Sequence, residues 1–253
     1  MKKLGIIHYF FHYLALIKIL KKHPMKVAII PARGGSKRIP KKNIKSFLGK
    51  PIIAYSIEVA IKSKLFDRII VTTDDDEIAE VAKQFGAEIP FMRPKELADD
   101  MTPTVPVIKH AIETLKQQGC DVTMACCIYA TAPFVNEFFL KEAYFKLLRD
   151  DRSYVFSATP FSFPIFRAFK MTQNDNVEMF WPEHYNTRSQ DLPKAYQDAG
   201  QFYWGKANAF LADKPFFCNE SSAIILPSYL VQDIDTPYDW MRAELMMRAL
   251  NLA

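Results

Sequence analysis

The chain has 253 residues, of which 49% are hydrophobic and 24% are charged, and its formal net charge is +5 at pH 7. This length suits one α/β domain with a small appendage, and the apolar content allows a sizeable core, which argues against an unstructured chain. The mild positive charge fits an anionic substrate and gives no reason to expect nucleic acid as a partner.

Residues 1–24 differ from the rest of the chain. A basic start precedes an apolar run from Leu4 to Leu20, as at the beginning of a signal peptide. Two histidines and Lys18 interrupt the run, and no small-residue cleavage site follows it. The run is also too short and too interrupted for a membrane span. We predict an N-terminal extension outside the fold and no integral membrane association, with an amphipathic helix on a membrane surface as the alternative.

The first predicted element is a buried strand, Met25 to Pro31, and a loop rich in glycine and basic residues follows it. Residues 32–43 read Ala-Arg-Gly-Gly-Ser-Lys-Arg-Ile-Pro-Lys-Lys-Asn. Adjacent glycines let a backbone approach a ligand closely, and successive N–H groups in such a turn can bind an anion. Arg33 offers a rigid fork for phosphate oxygens, while Lys37 and Lys42 add mobile charges. We predict a cradle for a polyphosphate, with a solvated basic loop as the alternative; neither the P-loop nor the dinucleotide-binding pattern is matched.

Helices and strands then alternate, which predicts a mainly parallel sheet with right-handed crossovers. The pattern indicates helices at 51–64, 74–85 and 104–118 and strands at 68–73, 88–91, 121–129 and 153–158. The acids Asp74 to Asp76 suit a first helical turn, with a ligand role as the alternative. Thr102 or Thr104 is predicted to cap the helix that follows.

The four cysteines are Cys120, Cys126, Cys127 and Cys218. They form no C-x-x-C pair, and two of them lie in an apolar run, so we predict buried free thiols. Free thiols indicate a reducing, cytoplasmic setting.

Residues 160–200 interrupt the alternation with prolines and aromatic residues. Short strands near 166–170 and 177–180, joined by a polar turn at 173–176, predict a projecting hairpin. A dense polar cluster at 183–192 and an aromatic strand beginning at Gly200 are candidates for binding a polar sugar, with a surface loop as the alternative.

Two carboxylates near the C-terminus form a candidate metal site. In an extended segment, residues two apart point to the same side, so Asp233 and Asp235 should converge while Ile234 turns to the core. Two hard oxygen ligands suit Mg²⁺ (or Mn²⁺), and a simple turn is the alternative. Thr236 and Asp239 are predicted to form a capping box for the last helix.

The loop at 32–43, together with Asp-Ile-Asp at 233–235, resembles the signature of the CMP-sugar synthetases, cytidylyltransferases that activate sialic-acid-like sugars. The resemblance extends over residues 25–251. It implies a Rossmann-like nucleotidyltransferase fold over residues 25–253, with a mainly parallel central sheet and helices on both faces. It also implies a small projecting dimerisation excursion at about 160–200, and hence a homodimer.

By this resemblance the phosphates of CTP would lie over the loop residues Ala32, Arg33, Gly34, Gly35, Ser36, Lys37, Lys42 and Asn43. An Arg-Pro-x-x-Leu-Ala-x-Asp segment and a Tyr-Ala-Thr-Ala-Pro segment resemble parts of the family's nucleotide pocket. They would place near the base and ribose the residues Arg93, Thr102, Thr104, Tyr129 and Thr131. Tyr129 stands where the family usually has glutamine.

The segment Asn-Thr-Arg-Ser-Gln-Asp-Leu-Pro at 186–193 resembles the family's acceptor-binding element, in the form typical of the branch that uses pseudaminic acid. The resemblance implies that Arg188 binds the acceptor's carboxylate through a bidentate contact. It also places in the acceptor pocket Gln190, Gln201 and Tyr203.

The implied reaction is attack by the anomeric 2-hydroxyl of a nine-carbon 2-keto acidic sugar on the α-phosphorus of CTP, with loss of pyrophosphate. Arg33 and Lys37 would be catalytic together with the carboxylates at 233 and 235, which would hold Mg²⁺ on the triphosphate. Sialic or legionaminic acid is the alternative acceptor. A non-catalytic nucleotide-binding module is the alternative of another class.

Overall fold

The computed structural model describes residues 24–250, so the predicted N-terminal extension lies outside the described residues apart from its last residue. The described strands are β1 Met25–Pro31, β2 Ser46–Phe47, β3 Lys50–Pro51, β4 Arg68–Thr72, β5 Val122–Ile128, β6 Tyr154–Pro160, β7 Phe169–Met171, β8 Val177–Met179, β9 Tyr196–Lys206 and β10 Ser221–Ile225. The α-helices are α1 Ile52–Ser63, α2 Asp76–Gln84, α3 Thr104–Gln117, α4 Glu137–Arg149, α5 Ala207–Leu211 and α6 Pro237–Ala249.

Six of these strands form the central sheet, in the order β10-β6-β9-β5-β1-β4. β1 pairs in parallel with β4 and β5, and β6 pairs in parallel with β10. β9 runs antiparallel between β5 and β6. The predicted mainly parallel sheet is confirmed. Because the parallel strands share a direction, their carboxyl ends meet at one edge, where open α/β sheets bind ligands.

Helices cover both faces of the sheet, as predicted. In β1, Ala28 and Ile30 pack with α1, α2 and α4, whereas Val27 and Ile29 pack with α3 and α5. Alternate strand residues point to opposite faces, so a strand buried on both sides reads as a continuous apolar run. That is why residues 27–30 carry no polar side chain.

A third apolar cluster ties the glycine-rich loop to the C-terminal helix. Ile39 of the loop and Ile234 of the Asp-Ile-Asp segment are buried with Phe47, Phe134 and Trp240. These two segments are almost 200 residues apart in the chain, and this shared core fixes their relative position.

One predicted strand and one predicted helix start differ from the structure. The strand predicted at 88–91 is reduced to a single bridge between Glu88 and Ile70. The helix predicted to start at Pro51 begins at Ile52, since Pro51 is still extended and pairs with Ser46.

The predicted threonine cap of α3 is also wrong. Pro103 precedes the helix, and no side chain caps it. The hydroxyl of Thr102 instead donates to Asp99 Oδ1 at 2.7 Å, and Thr104 is itself the first helical residue. The capping box of α6 is confirmed, with Thr236 and Asp239 exchanging hydrogen bonds.

The predicted hairpin is confirmed, with β7 pairing antiparallel to β8. Thr172 N donates to Asn176 O at 2.8 Å and closes the turn. Large apolar side chains of this hairpin, including Phe169 and Val177, are exposed to solvent. Its role in dimerisation stays a prediction.

The four cysteines are free thiols, but only Cys126 and Cys127 are buried, while Cys120 and Cys218 are half-buried. Burial raises the pKa of the Cys126 and Cys127 thiols, so both stay neutral and unreactive. Within residues 24–250, no helix combines the length and apolarity needed to cross a membrane.

Candidate active site

A cavity of about 610 Å³, called here the first cavity, opens beyond the carboxyl ends of β1 and β5. The order of strands in the sheet explains its position, because ligands of open α/β sheets bind at this edge. It brings together twelve of the predicted site residues: Arg33, Ser36, Lys37, Lys42, Asn43, Arg93, Thr102, Thr104, Tyr129, Thr131, Asp233 and Asp235.

The glycine-rich loop is held in shape by its own hydrogen bonds. Asn43 Nδ2 donates to Arg33 O at 2.9 Å, and Ser36 N donates to Gly34 O at 2.9 Å. Gly34 N donates to Asp74 Oδ1 at 3.0 Å. Two of the N–H groups expected to bind an anion are thus already used, so the loop offers mainly its side-chain cations. Gly35 and Ala32 contribute backbone around these bonds, and Ala32 is fully buried.

Gly34 lies against the turn that starts α2. Asp75 caps this helix by accepting from Ile78 N at 3.0 Å, which gives the acids at 74–76 the structural role that a first helical turn predicts. A Cβ at residue 34 would lie 2.6 Å from Asp75 Oδ2 and 2.9 Å from Asp75 Cβ. At Gly35 a Cβ would meet nothing within 4 Å.

We therefore expect Gly34→Ala to lower the free energy of unfolding by about 1–3 kcal/mol, because the added methyl group pushes the glycine-rich loop away from Asp75, the N-cap of α2. Gly35→Ala is the matched control and should change stability by less than about 0.5 kcal/mol. Urea denaturation of the ligand-free proteins measures both values. Equal stability of the two variants would contradict this account.

Asp100 pairs with two of the predicted phosphate-binding cations. Its carboxylate lies 2.6 Å from Arg33 Nη1 and 2.5 Å from Lys37 Nζ. Hydrogen bonds from Lys37 and Arg33 hold the pKa of Asp100 below its usual range. Asp100 also lines the first cavity, so an anionic ligand at these cations competes with it.

We expect Asp100→Asn to tighten CTP binding by a factor of roughly two to five, since it removes the competing charge from an exposed ion pair. Glu96→Gln removes the same charge from the same segment but outside the cavity lining, so it should leave CTP affinity unchanged. Calorimetric titration with CTP compares the two variants. Weaker binding by Asp100→Asn would contradict the competition.

The two predicted metal ligands lie on one side of their segment. Ile234 is fully buried between them, as predicted. Asp235 Oδ1 lies 2.8 Å from Arg38 Nη2 and 3.5 Å from Lys42 Nζ. Lys42 Nζ also donates to Ile234 O at 2.6 Å, which links the basic loop directly to the carboxylates. Burial, and then the charge of Asp235, raise the pKa of Asp233.

This donor set fits a divalent cation. Burial and the charge of Asp235 raise the pKa of Asp233 despite the opposing charge of Lys42, so a divalent cation beside this pair would favour its ionised form. Among the described residues, no group of three or more His, Cys, Asp or Glu could hold a metal. A pair of carboxylates completed by substrate phosphates and water is how Mg²⁺ is commonly bound.

The far wall of the first cavity is polar and rigid. Arg93 is buried, with its guanidinium donating to the backbone oxygen of Thr72, and burial lowers the pKa of Arg93 to about 10. The hydroxyls of Thr104 and Tyr129 lie 2.8 Å apart. Burial raises the pKa of Tyr129 to about 12, so this phenol stays neutral. Tyr129 therefore presents a fixed hydroxyl where the family usually has an amide.

The four predicted acceptor-binding residues do not come together within one chain. Arg188 pairs with Asp191 at 2.6 Å, and its side chain is 73% exposed. Gln190 is exposed in the same turn, Ser189–Asp191.

Gln201 and Tyr203 are buried in β9 and line neither the first cavity nor the cavity that adjoins it, so their role in the acceptor pocket stays a prediction. Gln201 Nε2 donates to Leu230 O at 2.6 Å, and the Tyr203 hydroxyl donates to Asp198. Both are buried because β9 runs through the middle of the sheet, so its side chains enter the core.

A second cavity, of about 440 Å³, adjoins the first at Asp233 and Asp235, which line both. Its other polar lining residues include Gln197, Asp198, Gln232, Asp239 and Arg242. Asp233 and Asp235 thus lie at the boundary between the first and the second cavity.

Sequence reasoning gave no site role to five further charged residues that line these cavities: Arg38, Asp100, Asp198, Asp239 and Arg242. Arg38 belongs to the basic run and could have been found from it. Asp100 closes the Arg-Pro-x-x-Leu-Ala-x-Asp segment, so the resemblance already drew attention to its position. Nothing local sets Arg242 apart.

Residues 27–251 match the model of a family described as Cytidylyltransferase. A pseudaminic acid cytidylyltransferase of Campylobacter jejuni (serotype O:23/36, strain 81-176) is 49% identical over 222 residues, 88% of this chain and 96% of that protein. A CMP-N,N'-diacetyllegionaminic acid synthase of Legionella pneumophila is 29% identical over 225 residues, 87% of this chain and 95% of that protein.

A solved CMP:2-keto-3-deoxy-manno-octonic acid synthetase complexed with CTP has a TM-score of 0.65 at 14% identity, covering 89% of this chain and 99% of that chain. At this identity the likeness is one of fold. The family match and the 49% identical relative both cover most of the chain. The chain belongs to the cytidylyltransferase family.

Proposed function

We propose that this protein transfers CMP from CTP to the anomeric 2-hydroxyl of pseudaminic acid and releases pyrophosphate. The observation that carries the proposal is that the basic loop and the carboxylates Asp233 and Asp235 line one cavity. The 49% identical relative, a pseudaminic acid cytidylyltransferase, supports the choice of acceptor.

Different residues of the first cavity are proposed to bind different parts of CTP. Arg33 and Lys37 bind and neutralise the phosphates, which displace Asp100 from its ion pairs with these two cations. Lys42, which lies beside Asp235, binds the phosphates from the side of the carboxylates. The wall with Arg93 and Tyr129, held in place by hydrogen bonds, would receive the base and ribose.

Asp233 and Asp235 would hold Mg²⁺, which supplies neutralisation of the triphosphate and lowers the pKa of the acceptor hydroxyl. The acceptor oxygen forms its bond to the α-phosphorus as the bond to the pyrophosphate oxygen breaks, and the hydroxyl proton passes to water. The chain contributes positioning and charge rather than a covalent intermediate. Consistent with this, the buried thiols of Cys126 and Cys127 line neither cavity.

The exposed apolar side chains of the β7-β8 hairpin support a homodimer. The free thiols support a cytoplasmic site of action.

The experiment is a pyrophosphate-release assay with CTP and Mg²⁺, offering pseudaminic, legionaminic and N-acetylneuraminic acids in parallel. We expect release with pseudaminic acid. Release only with another acceptor would keep the reaction and reject the acceptor. CTP binding without release, for all three sugars and with Mn²⁺ in place of Mg²⁺, would favour the non-catalytic nucleotide-binding module.

A further inference from the structure

Negative charge predominates in the lining of the second cavity. Four carboxylates line it, those of Asp198, Asp233, Asp235 and Asp239. Among the described residues of its lining, Arg242 is the one cation. A second acidic group would be repelled from this space unless it met that guanidinium.

Two of the four carboxylates are already satisfied by the chain. Asp239 accepts from Thr236 N at 2.7 Å and from Asp235 N at 3.1 Å, and hydrogen bonds from Thr236 are the main reason that the pKa of Asp239 is lowered. Asp198 accepts from Gly200 N at 2.9 Å and from a buried tyrosine hydroxyl. Both acids therefore have hydrogen-bond donors other than Arg242, whose charge adds a smaller contribution at Asp239.

The guanidinium of Arg242 is free to bind something else. Among residues 24–250 it has no ion pair within 4 Å and no hydrogen bond. Arg242 lies three residues after Asp239 on α6, so the two side chains share one face of the helix, and both line the second cavity. A guanidinium offers a planar fork that matches a carboxylate bidentately.

We propose that Arg242 binds the carboxylate of the acceptor sugar in the second cavity. This inference rests on the proposed function. In a 2-keto sugar acid, the carboxylate and the reacting hydroxyl are attached to the same carbon. A hydroxyl placed beside Asp233 and Asp235 therefore brings the carboxylate within a few ångströms of them, into a space that Asp198 and Asp239 also line. The cations beside Asp235 and any bound Mg²⁺ already serve the metal site and the triphosphate, so the incoming carboxylate gains from a cation of its own. Arg242 supplies that charge, whereas Arg188 of the same chain lines neither cavity.

The test compares Arg242→Gln, Arg242→Lys and the control Arg248→Gln. Arg248 is exposed on the same helix but lines neither cavity. We expect Arg242→Gln to raise the acceptor KM by about 10- to 100-fold, the loss of a charged hydrogen-bonded pair, and to leave the CTP KM unchanged. The acceptor KM of Arg242→Lys should lie between those of wild type and Arg242→Gln, and that of Arg248→Gln should equal the wild-type value.

A second readout uses an acceptor analogue whose carboxylate is replaced by a carboxamide. Wild type should discriminate strongly against this analogue, and Arg242→Gln should lose most of the discrimination. An Arg242→Gln enzyme with unchanged acceptor KM and unchanged discrimination would overturn the proposal.

A binding measurement separates failure of this inference from failure of the proposed function. Calorimetry would follow pseudaminic acid binding to protein loaded with a CTP analogue that has a methylene bridge between the α- and β-phosphorus. Binding lost in Arg242→Gln and kept in Arg248→Gln supports the site even if no pyrophosphate is released. Absence of binding by the wild-type protein rejects the proposal.

Discussion

Replacement of Asp235 by alanine is expected to lower kcat/KM for pyrophosphate release by about 10²–10³-fold, the cost of losing one preorganised charge-stabilising group. Among residues 24–250, the ion pairs of the Asp235 carboxylate are with Arg38 and Lys42. Its backbone N–H, which donates to Asp239, is retained in alanine. The fold should therefore survive, and the loss should appear in the chemistry. Steady-state assays over a Mg²⁺ titration measure it, and circular dichroism checks the fold.

Asp233→Asn should act in the same direction, since it removes the second carboxylate without changing the size of the side chain. Asp150→Ala is the control, because this half-buried acid lines neither cavity. Removal of divalent cations with EDTA should abolish activity in wild type. An Asp235→Ala enzyme within tenfold of wild type at every Mg²⁺ concentration would contradict the metal role.

The largest loss of stability is expected for Trp204→Ala, about 3–5 kcal/mol in the free energy of unfolding. Trp204 is fully buried in β9, and its ring stacks on Phe66 with centroids 5.0 Å apart. Its Nε1 donates to Leu140 O at 3.1 Å, so the variant also loses this buried hydrogen bond. Urea denaturation with and without CTP measures the loss.

Trp181→Ala is the matched comparison. Trp181 packs on Phe166 within the excursion, with centroids 5.4 Å apart, and is only partly buried. Its loss should cost far less, because the central sheet does not depend on it. Equal losses for the two tryptophans would mean that the excursion and the sheet unfold as one tightly coupled unit.

The fold was predictable where local pattern decides it. Continuous apolar runs such as residues 27–30 and amphipathic stretches such as α1 gave the parallel sheet and its helices. The antiparallel insertion of β9 was not predictable, because an aromatic strand beginning at Gly200 does not reveal its neighbours. Strand partners depend on contacts between residues far apart in the chain, which a single sequence does not show.

The same division holds for the candidate site. The basic loop and the Asp-Ile-Asp segment were found because each concentrates its residue types within a few positions. Asp100 was missed because its partners Arg33 and Lys37 lie more than 60 residues away. Thr104 was predicted to be a cap because threonine before an apolar run is typical of one, but a tertiary bond to Tyr129 takes its hydroxyl.

The excursion leaves the sheet and returns to it at one point. Pro160 at the end of β6 pairs with Tyr196 at the start of β9, and Phe161 N donates to Ala195 O at 3.2 Å. The intervening residues form a loop whose two ends are already joined, and lengthening such a loop costs only about 0.6 kcal/mol per doubling. Insertions, deletions or exchanges between these ends leave the strand register intact. Evolution, or an engineer, can therefore replace residues 162–194 as a cassette while the nucleotide half of the molecule stays unchanged.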